Sequence, residues 1–373
     1  MIEIVAFNCR LKQTFSAIFV VACCLCSLSD ACTAEDIQPP ASITSAKIDL
    51  GQVNVASIVF DTSGDILVAA SVNADDEMFL RAIDTRDGRI TDSFHRSGVS
   101  GCSVGRLSSA NDIGLAHIDC NDALETSFAT LSLAEGKLSD RYTSFRAPRS
   151  LQLGVLAGQS AFHVAQIPYL NDDNGSEEIH LERLSKDNDA KLEGVLRPLH
   201  VNPLDLSFVG YSESIESACF WSRNRQDPDS CSLLVFGRMN NHHWVKMCSI
   251  DGLQKVAVSR DGKLVTTLST NKVCQYVVEA GEFENLVLRK IVDLHCTAKN
   301  VQDLCCTPDG KILLIVSKDG LSLLDVPQGV VLRTFDIRNA IAWAVSDHGD
   351  QIGVVRYVDT EKQLARIEVL AVR

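Results

Sequence analysis

Val258-Ser259-Arg260-Asp261-Gly262-Lys263-Leu264-Val265 and Cys306-Thr307-Pro308-Asp309-Gly310-Lys311-Ile312-Leu313 are two copies of one phrase: an apolar strand end, a hydroxyl, an Asp-Gly turn and a new apolar strand. Looser copies, Phe60-Asp61-Thr62-Ser63-Gly64-Asp65-Ile66-Leu67 and Val345-Ser346-Asp347-His348-Gly349-Asp350-Gln351-Ile352, lie nearer the two ends. Gly supplies the positive φ that other residues resist, and Pro308 fits the second turn position with its fixed φ. A strand-turn-strand unit that recurs along a chain marks a repeat architecture, in which each unit covers its neighbour's apolar faces.

Outward from these copies, segments rich in Val, Ile, Leu, Thr and Phe alternate with Gly, Asp, Asn and Ser turns, and no helical periodicity persists, so the chain reads as all-β. The strand after each turn starts near Asp65, Asp112, Ser160, Ile215, Lys263, Lys311 and Gln351, in steps of 47, 48, 55, 48, 48 and 40 residues. Those steps match one four-stranded propeller blade per repeat and predict seven antiparallel blades. Blade 6 is the plainest, with strands over Val301–Thr307, Lys311–Ser317, Leu321–Asp325 and Val330–Phe335. Near-continuous apolar strands such as Ile312-Leu313-Leu314-Ile315-Val316 suit a sheet covered on both faces. Blade 7, over Ala340–Ser346, Gln351–Tyr357 and Ala365–Val372, stops one strand short. Thr44–Leu50 is expected to complete it as the outer strand, hiding an edge that would otherwise invite association.

Pro308-Asp309-Gly310-Lys311-Ile312-Leu313, followed by Asp319-Gly320-Leu321-Ser322-Leu323-Leu324-Asp325-Val326 and Gly329 to Phe335, resembles one complete repeat of the WD-repeat and YVTN-type β-propellers. Leu324 replaces the Trp that names the WD family, and the usual Gly-His pair is missing. The resemblance is sharp over Leu253–Val372, fair over Val55–Phe94 and weak from Gly101 to Ile250, and it implies a fold rather than an activity.

Residues 1–34 read as a secretory signal helix, with residues 35–373 as a single propeller domain. Arg10 and Lys12 precede an uncharged run from Phe15 to Leu28, and Cys32-Thr33-Ala34 offers a cleavage site before Glu35. The run falls short of the ~20 residues that span a bilayer. Two alternatives stay open: an uncleaved anchor lengthened by Ile4–Phe7 and Leu11, and lipidation at Cys23. The mature protein is expected to be periplasmic or secreted, monomeric and without a transmembrane span.

The chain has 373 residues and a net charge of −13, and the leader's charges cancel, so the mature domain keeps the whole excess. A surface this acidic repels phosphate backbones, which makes nucleic acid an unfavourable partner. Five of the 14 cysteines lie in the leader. In the mature chain no Cys-x-x-Cys couple occurs and no His is spaced to complete a zinc site, so no structural metal is expected. Blade 4, over Asp205–Tyr211, Ser217–Arg223, Cys231–Gly237 and Trp244–Ser249, sets Cys219 roughly opposite Cys231 on adjacent strands. A disulfide and two buried thiols are both compatible with that placement.

Other constellations read as structural. Asn73-Ala74-Asp75-Asp76-Glu77 and Asn171-Asp172-Asp173-Asn174-Gly175 carry oxygen ligands without the alternation of a calcium loop, and both fall at hairpin turns. His242-His243-Trp244 places its imidazoles on opposite strand faces. Cys305-Cys306 reads as core packing, and Asp61 and Asp347 as turn carboxylates satisfied by local hydrogen bonds. No Gly-x-Ser-x-Gly elbow, phosphate loop or His-Glu-x-x-His pair is present, so no catalytic residue, metal ligand or cofactor is assigned. The expected function is a non-catalytic binding or scaffold module for a protein, peptide or glycan. The alternative is a lactonase-like or quinoprotein propeller enzyme with a metal or cofactor at the central channel.

Overall fold

The computed structural model describes residues 44–372 apart from 108–111, 120–125, 135, 140–144, 147–149, 158–160, 169–177, 185–189, 197–201, 203–204, 223–230, 240–242, 252, 270–271, 281–285 and 296–299. The leader and Asn171–Gly175 therefore lie outside the described residues, as does His242. Every regular element described is a strand.

Blade 1 consists of β2 (Val55–Phe60), β3 (Ile66–Val72), β4 (Glu77–Asp84) and β5 (Ile90–Ser97), preceded in the chain by β1 (Thr44–Gln52). In blade 2, β6 (Val99–Arg106), β7 (Asp112–Asp119) and β8 (Thr126–Ala134) are followed by two short strands, β9 (Lys137–Ser139) and β10 (Phe145–Arg146), which both pair with β8. Blade 3 is β11 (Ser150–Ala157), β12 (Phe162–Pro168), β13 (Ile179–Leu184) and β14 (Ala190–Leu196). Blade 4 is β15 (Leu206–Ser212), β16 (Ser217–Ser222), β17 (Ser232–Met239) and β18 (His243–Asp251). Blade 5 is β19 (Lys255–Val258), β20 (Leu264–Ser269), β21 (Lys272–Ala280) and β22 (Leu286–His295). Blade 6 is β23 (Val301–Cys306), β24 (Ile312–Ser317), β25 (Leu321–Asp325) and β26 (Val330–Phe335). Blade 7 runs from β27 (Ala340–Val345) through β28 (Gln351–Asp359) and β29 (Leu364–Ala371) to β1, which pairs antiparallel with β29 at the outer edge. A short parallel contact, Val195 with His243 and Leu196 with Trp244, joins the outer strands of blades 3 and 4.

The first strands of successive blades touch one another all the way round, from β2 through β6, β11, β15, β19 and β23 to β27 and back to β2. Apolar residues from adjacent blades share clusters. One joins Val68, Leu80, Ile113 and Leu131 of blades 1 and 2, and another joins Leu314, Val316, Ile352 and Val354 of blades 6 and 7.

The repeated turn has one hydrogen-bond logic. Ser259 Oγ accepts the backbone N–H of Leu264 at 2.8 Å and donates to Asp261 Oδ1 at 2.7 Å. Thr307 does the same with Ile312 N–H at 3.1 Å and Asp309 at 2.7 Å, and Ser346 with Gln351 N–H at 3.0 Å and Asp350 at 2.7 Å. In blade 1 the carboxylate itself takes the accepting place, Asp61 Oδ1 receiving Ile66 N–H at 3.1 Å. Each group satisfies a backbone donor that the strand ladder leaves over. Ser259→Ala is expected to cost about 1–3 kcal/mol, because Ser259 is buried and Leu264 N–H loses its side-chain acceptor. Denaturant melts check this, and an unchanged midpoint would show the hydroxyl to be dispensable.

The register corrects one expectation. Cys219 pairs with Val235, while Cys231 directly precedes Ser232, which pairs with Ser222. The two cysteines are thus offset by four positions, about 13 Å along the strands at ~3.3 Å per residue. They are not cross-strand partners, although both are buried in one cluster with Leu233 and Val265. The expected strand starts hold to within a residue, but antiparallel pairing sets Ser217 against Gly237 and Cys219 against Val235, which leaves Cys231 beyond the far end of β16.

Candidate functional site

The second position of the repeated turn follows the strand-end hydroxyl or carboxylate, and it holds Thr62, Arg260, Pro308 and Asp347 in blades 1, 5, 6 and 7. In blade 2 the last residue of the inner strand, where other blades carry Phe60, Val258, Cys306 or Val345, is Arg106. These substitutions converge. Arg106 is buried, and its Nη2 donates to both oxygens of Asp347, at 2.7 and 2.5 Å. Arg260 Nη2 donates to the backbone carbonyl of Arg106 at 2.9 Å. Blade 5 thereby reaches blade 2, and blade 2 reaches blade 7, so the three residues span the interior of the ring at its turn-bearing end. Asp347 is therefore not satisfied locally, as its turn position suggested; its carboxylate answers a cation from another blade. Asp61 does keep local bonds, receiving Ser63 Oγ–H at 2.6 Å as well as Ile66 N–H.

Burial, and after it the neighbouring Arg106, lower Arg260 to a pKa of about 10, with Asp347 opposing both. Beside it lies a cavity of about 200 Å3 lined by His163, Tyr211, Glu213, Ser214, Arg260, Asp261 and Lys263. A second cavity, of about 160 Å3, continues past Arg260 to Leu156, Val209 and Val258. Both sit where blades 3, 4 and 5 meet.

The inner wall is a polar cluster around the buried His163. His163 on β12 stacks on Tyr211 of β15 with ring centroids 4.1 Å apart, and its Nε2 lies 3.1 Å from Glu213. Its Nδ1 is 3.4 Å from Glu193. Burial opposes ionisation of Glu193, yet hydrogen bonds with His163 and Tyr211 hold its carboxyl below the usual range. Burial, with Glu193 adding to it, pushes the Tyr211 phenol well above its ordinary value. Ser214 Oγ lies 3.3 Å from Ser212 Oγ, and among the described residues it makes no hydrogen bond to His163, so no serine-histidine couple forms. Among the described residues no group of three or more His, Cys, Asp or Glu side chains is placed to hold a metal ion.

The wheel is similar to the β-propeller domain of Myceliophteria thermophila Cps50 (Swd1), with a TM-score of 0.57 and 11% identity over 87% of this chain and 98% of that one. The fold is a seven-bladed β-propeller. At that identity the likeness fixes the propeller's architecture and nothing of its ligand. No protein-family model matches the sequence, and no curated protein matches it.

Other residues of this propeller singled out from sequence find structural roles. Asn73 Oδ1 accepts the N–H groups of Asp75 and Glu77, at 3.0 and 2.9 Å, which makes that segment a capped hairpin turn between β3 and β4. Cys305 and Cys306 end β23 on opposite faces, one packed on the cluster of blades 6 and 7 and the other on that of blades 5 and 6. Burial raises both thiols, Cys305 to about 12, so neither is a thiolate at neutral pH. His243 begins β18, and the side chains of His243 and Trp244 lie outside what is described. Sequence reasoning passed over Arg106, Arg260, His163 and Glu213. For Arg106 a signal existed: a cation at an inner-strand position that is apolar in the better repeats.

Proposed function

We propose that the chain is an exported, non-catalytic binding module that captures a protein or peptide on the turn-bearing face of its propeller. The observation that carries this reading is the cavity at the junction of blades 3, 4 and 5, where Arg260 and Lys263 alternate with Glu213 and Asp261 beside an aromatic wall. Charges of both signs at fixed spacing suit a polypeptide ligand, which brings both signs itself, and the wheel supplies the rigid frame on which such loops specify partners. The leader pattern of residues 1–34 supports export.

The test immobilises the mature protein and captures ligands from an exported fraction, beside a double variant carrying Ser214→Arg and Lys263→Glu. Both residues are exposed turn positions, so the fold is expected to survive. Retention by the wild type should fall about tenfold in the variant, the loss expected when rim charge is reversed and a hydrogen-bonding site is blocked. Equal retention by the two proteins, or none by the wild type, would refute binding at this face.

A further inference from the structure

Among the described residues, the channel mouth holds more positive charge than its own carboxylate answers. Arg106 and Arg260 stand together against Asp347, which engages Nη2 of Arg106. Arg106 Nε and Nη1 and Arg260 Nε are buried and meet no acceptor among the described residues. Orphaned guanidinium donors of this kind are costly, and they are worth most to an incoming anion where water is excluded. Arg260 also lines both cavities, so its charge is reachable from the face while its tip is held by the Arg106 carbonyl. The surroundings are acidic: Glu213 and Asp261 share the cavity, and the whole chain carries −13.

We propose that Arg260 is the anchor for a single carboxylate side chain of the partner, presented within an otherwise basic segment. The carboxylate enters the cavity and pairs with Arg260, with Lys263 at the rim, while the flanking basic residues of the ligand meet Glu213 and Asp261. A carboxylate fits better than a phosphate because it brings one charge rather than nearly two past those acidic neighbours. This deepens the function proposed above and rests on it.

Thermal melts of the full chain in acetate, phosphate and chloride at matched ionic strength test the anchor without any partner. Acetate is expected to raise the melting temperature above the chloride control, by mass action on the folded state. In Arg260→Gln the half-saturating acetate concentration should rise about tenfold, the loss expected for a charge-assisted hydrogen bond. Asp347→Asn removes a negative charge that acts on Arg260 and should tighten acetate binding, which gives a reading even if the Arg260 variant fails to fold. The proposal is overturned by equal melts in acetate and chloride, by an Arg260→Gln protein that keeps the increment, or by weaker binding in Asp347→Asn. A larger increment from phosphate than from acetate overturns the choice of carboxylate. Failure here would leave a successful capture experiment standing, and failure of capture would leave the anion response standing.

Discussion

Deleting residues 44–52 is expected to abolish the soluble, cooperatively melting protein. The strand they form pairs with β29 from Thr44 opposite Leu370 to Gln52 opposite Leu364. It buries Ala46 and Ile48 in a cluster that also contains Phe60, Leu67, Val355 and Ile367, and so ties the last blade to the first. Its exposed face adds the Arg366–Asp49 pair at 2.6 Å, a contact that solvent screens to a minor share. The main loss is the ladder. Several backbone hydrogen bonds at about 1 kcal/mol each, together with the buried Ile and Ala, amount to much of the ~5–15 kcal/mol by which a domain is stable. The deletion also bares the full length of β29 as an edge, a template for pairing with other chains. Circular dichroism melts and soluble yield measure the outcome, and a deletion variant that melts as sharply and as high as the parent would disprove the closure.

How legible this was depended on how regular each repeat is. In blades 5, 6 and 7 the Asp- and Gly-bearing turns punctuate the chain, and the strand after each turn begins within a residue of its expected start: Leu264 for Lys263, Ile312 for Lys311 and Gln351 itself. The physical reason is that hydroxyl, carboxylate and glycine all serve one hydrogen-bonded turn, so the residue types are dictated together. Blades 3 and 4 lack that phrase; in blade 4 the strand starts were still legible, Ser217 itself and Ser232 for Cys231, and the reading slipped at the register, because antiparallel pairing sets Cys219 against Val235. The channel-mouth residues were hidden for another reason. Arg106 and Asp347 are 241 positions apart, and no local pattern announces that two blades will set them face to face. A turn carboxylate with local partners, such as Asp61, and one with a distant partner, such as Asp347, look alike until the ring is closed.

Gly262→Ala should be among the most damaging single substitutions in the chain, because two penalties fall on one atom. Gly262 has φ of +71°, a left-handed conformation that costs an L-residue about 1–2 kcal/mol. A Cβ there would also collide with the backbone carbonyl of Tyr211 and the following amide nitrogen of Ser212, in the neighbouring blade. Backbone cannot rotate aside as a side chain does, so blades 4 and 5 must separate, and the expected total exceeds about 3 kcal/mol. Gly51 is the control: its φ is +80°, yet nothing lies within 4 Å of a Cβ, so Gly51→Ala should cost only the conformational part. Matched denaturant melts of the two variants separate strain from close approach, and equal losses would mean that the blades do not touch at this turn. The same joint carries Tyr211, Arg260, Asp261 and Lys263 around the cavity. Gly262→Ala should therefore weaken acetate binding as well as the fold, whereas Gly51→Ala, at the remote outer strand, should leave the anion response at the parent's value.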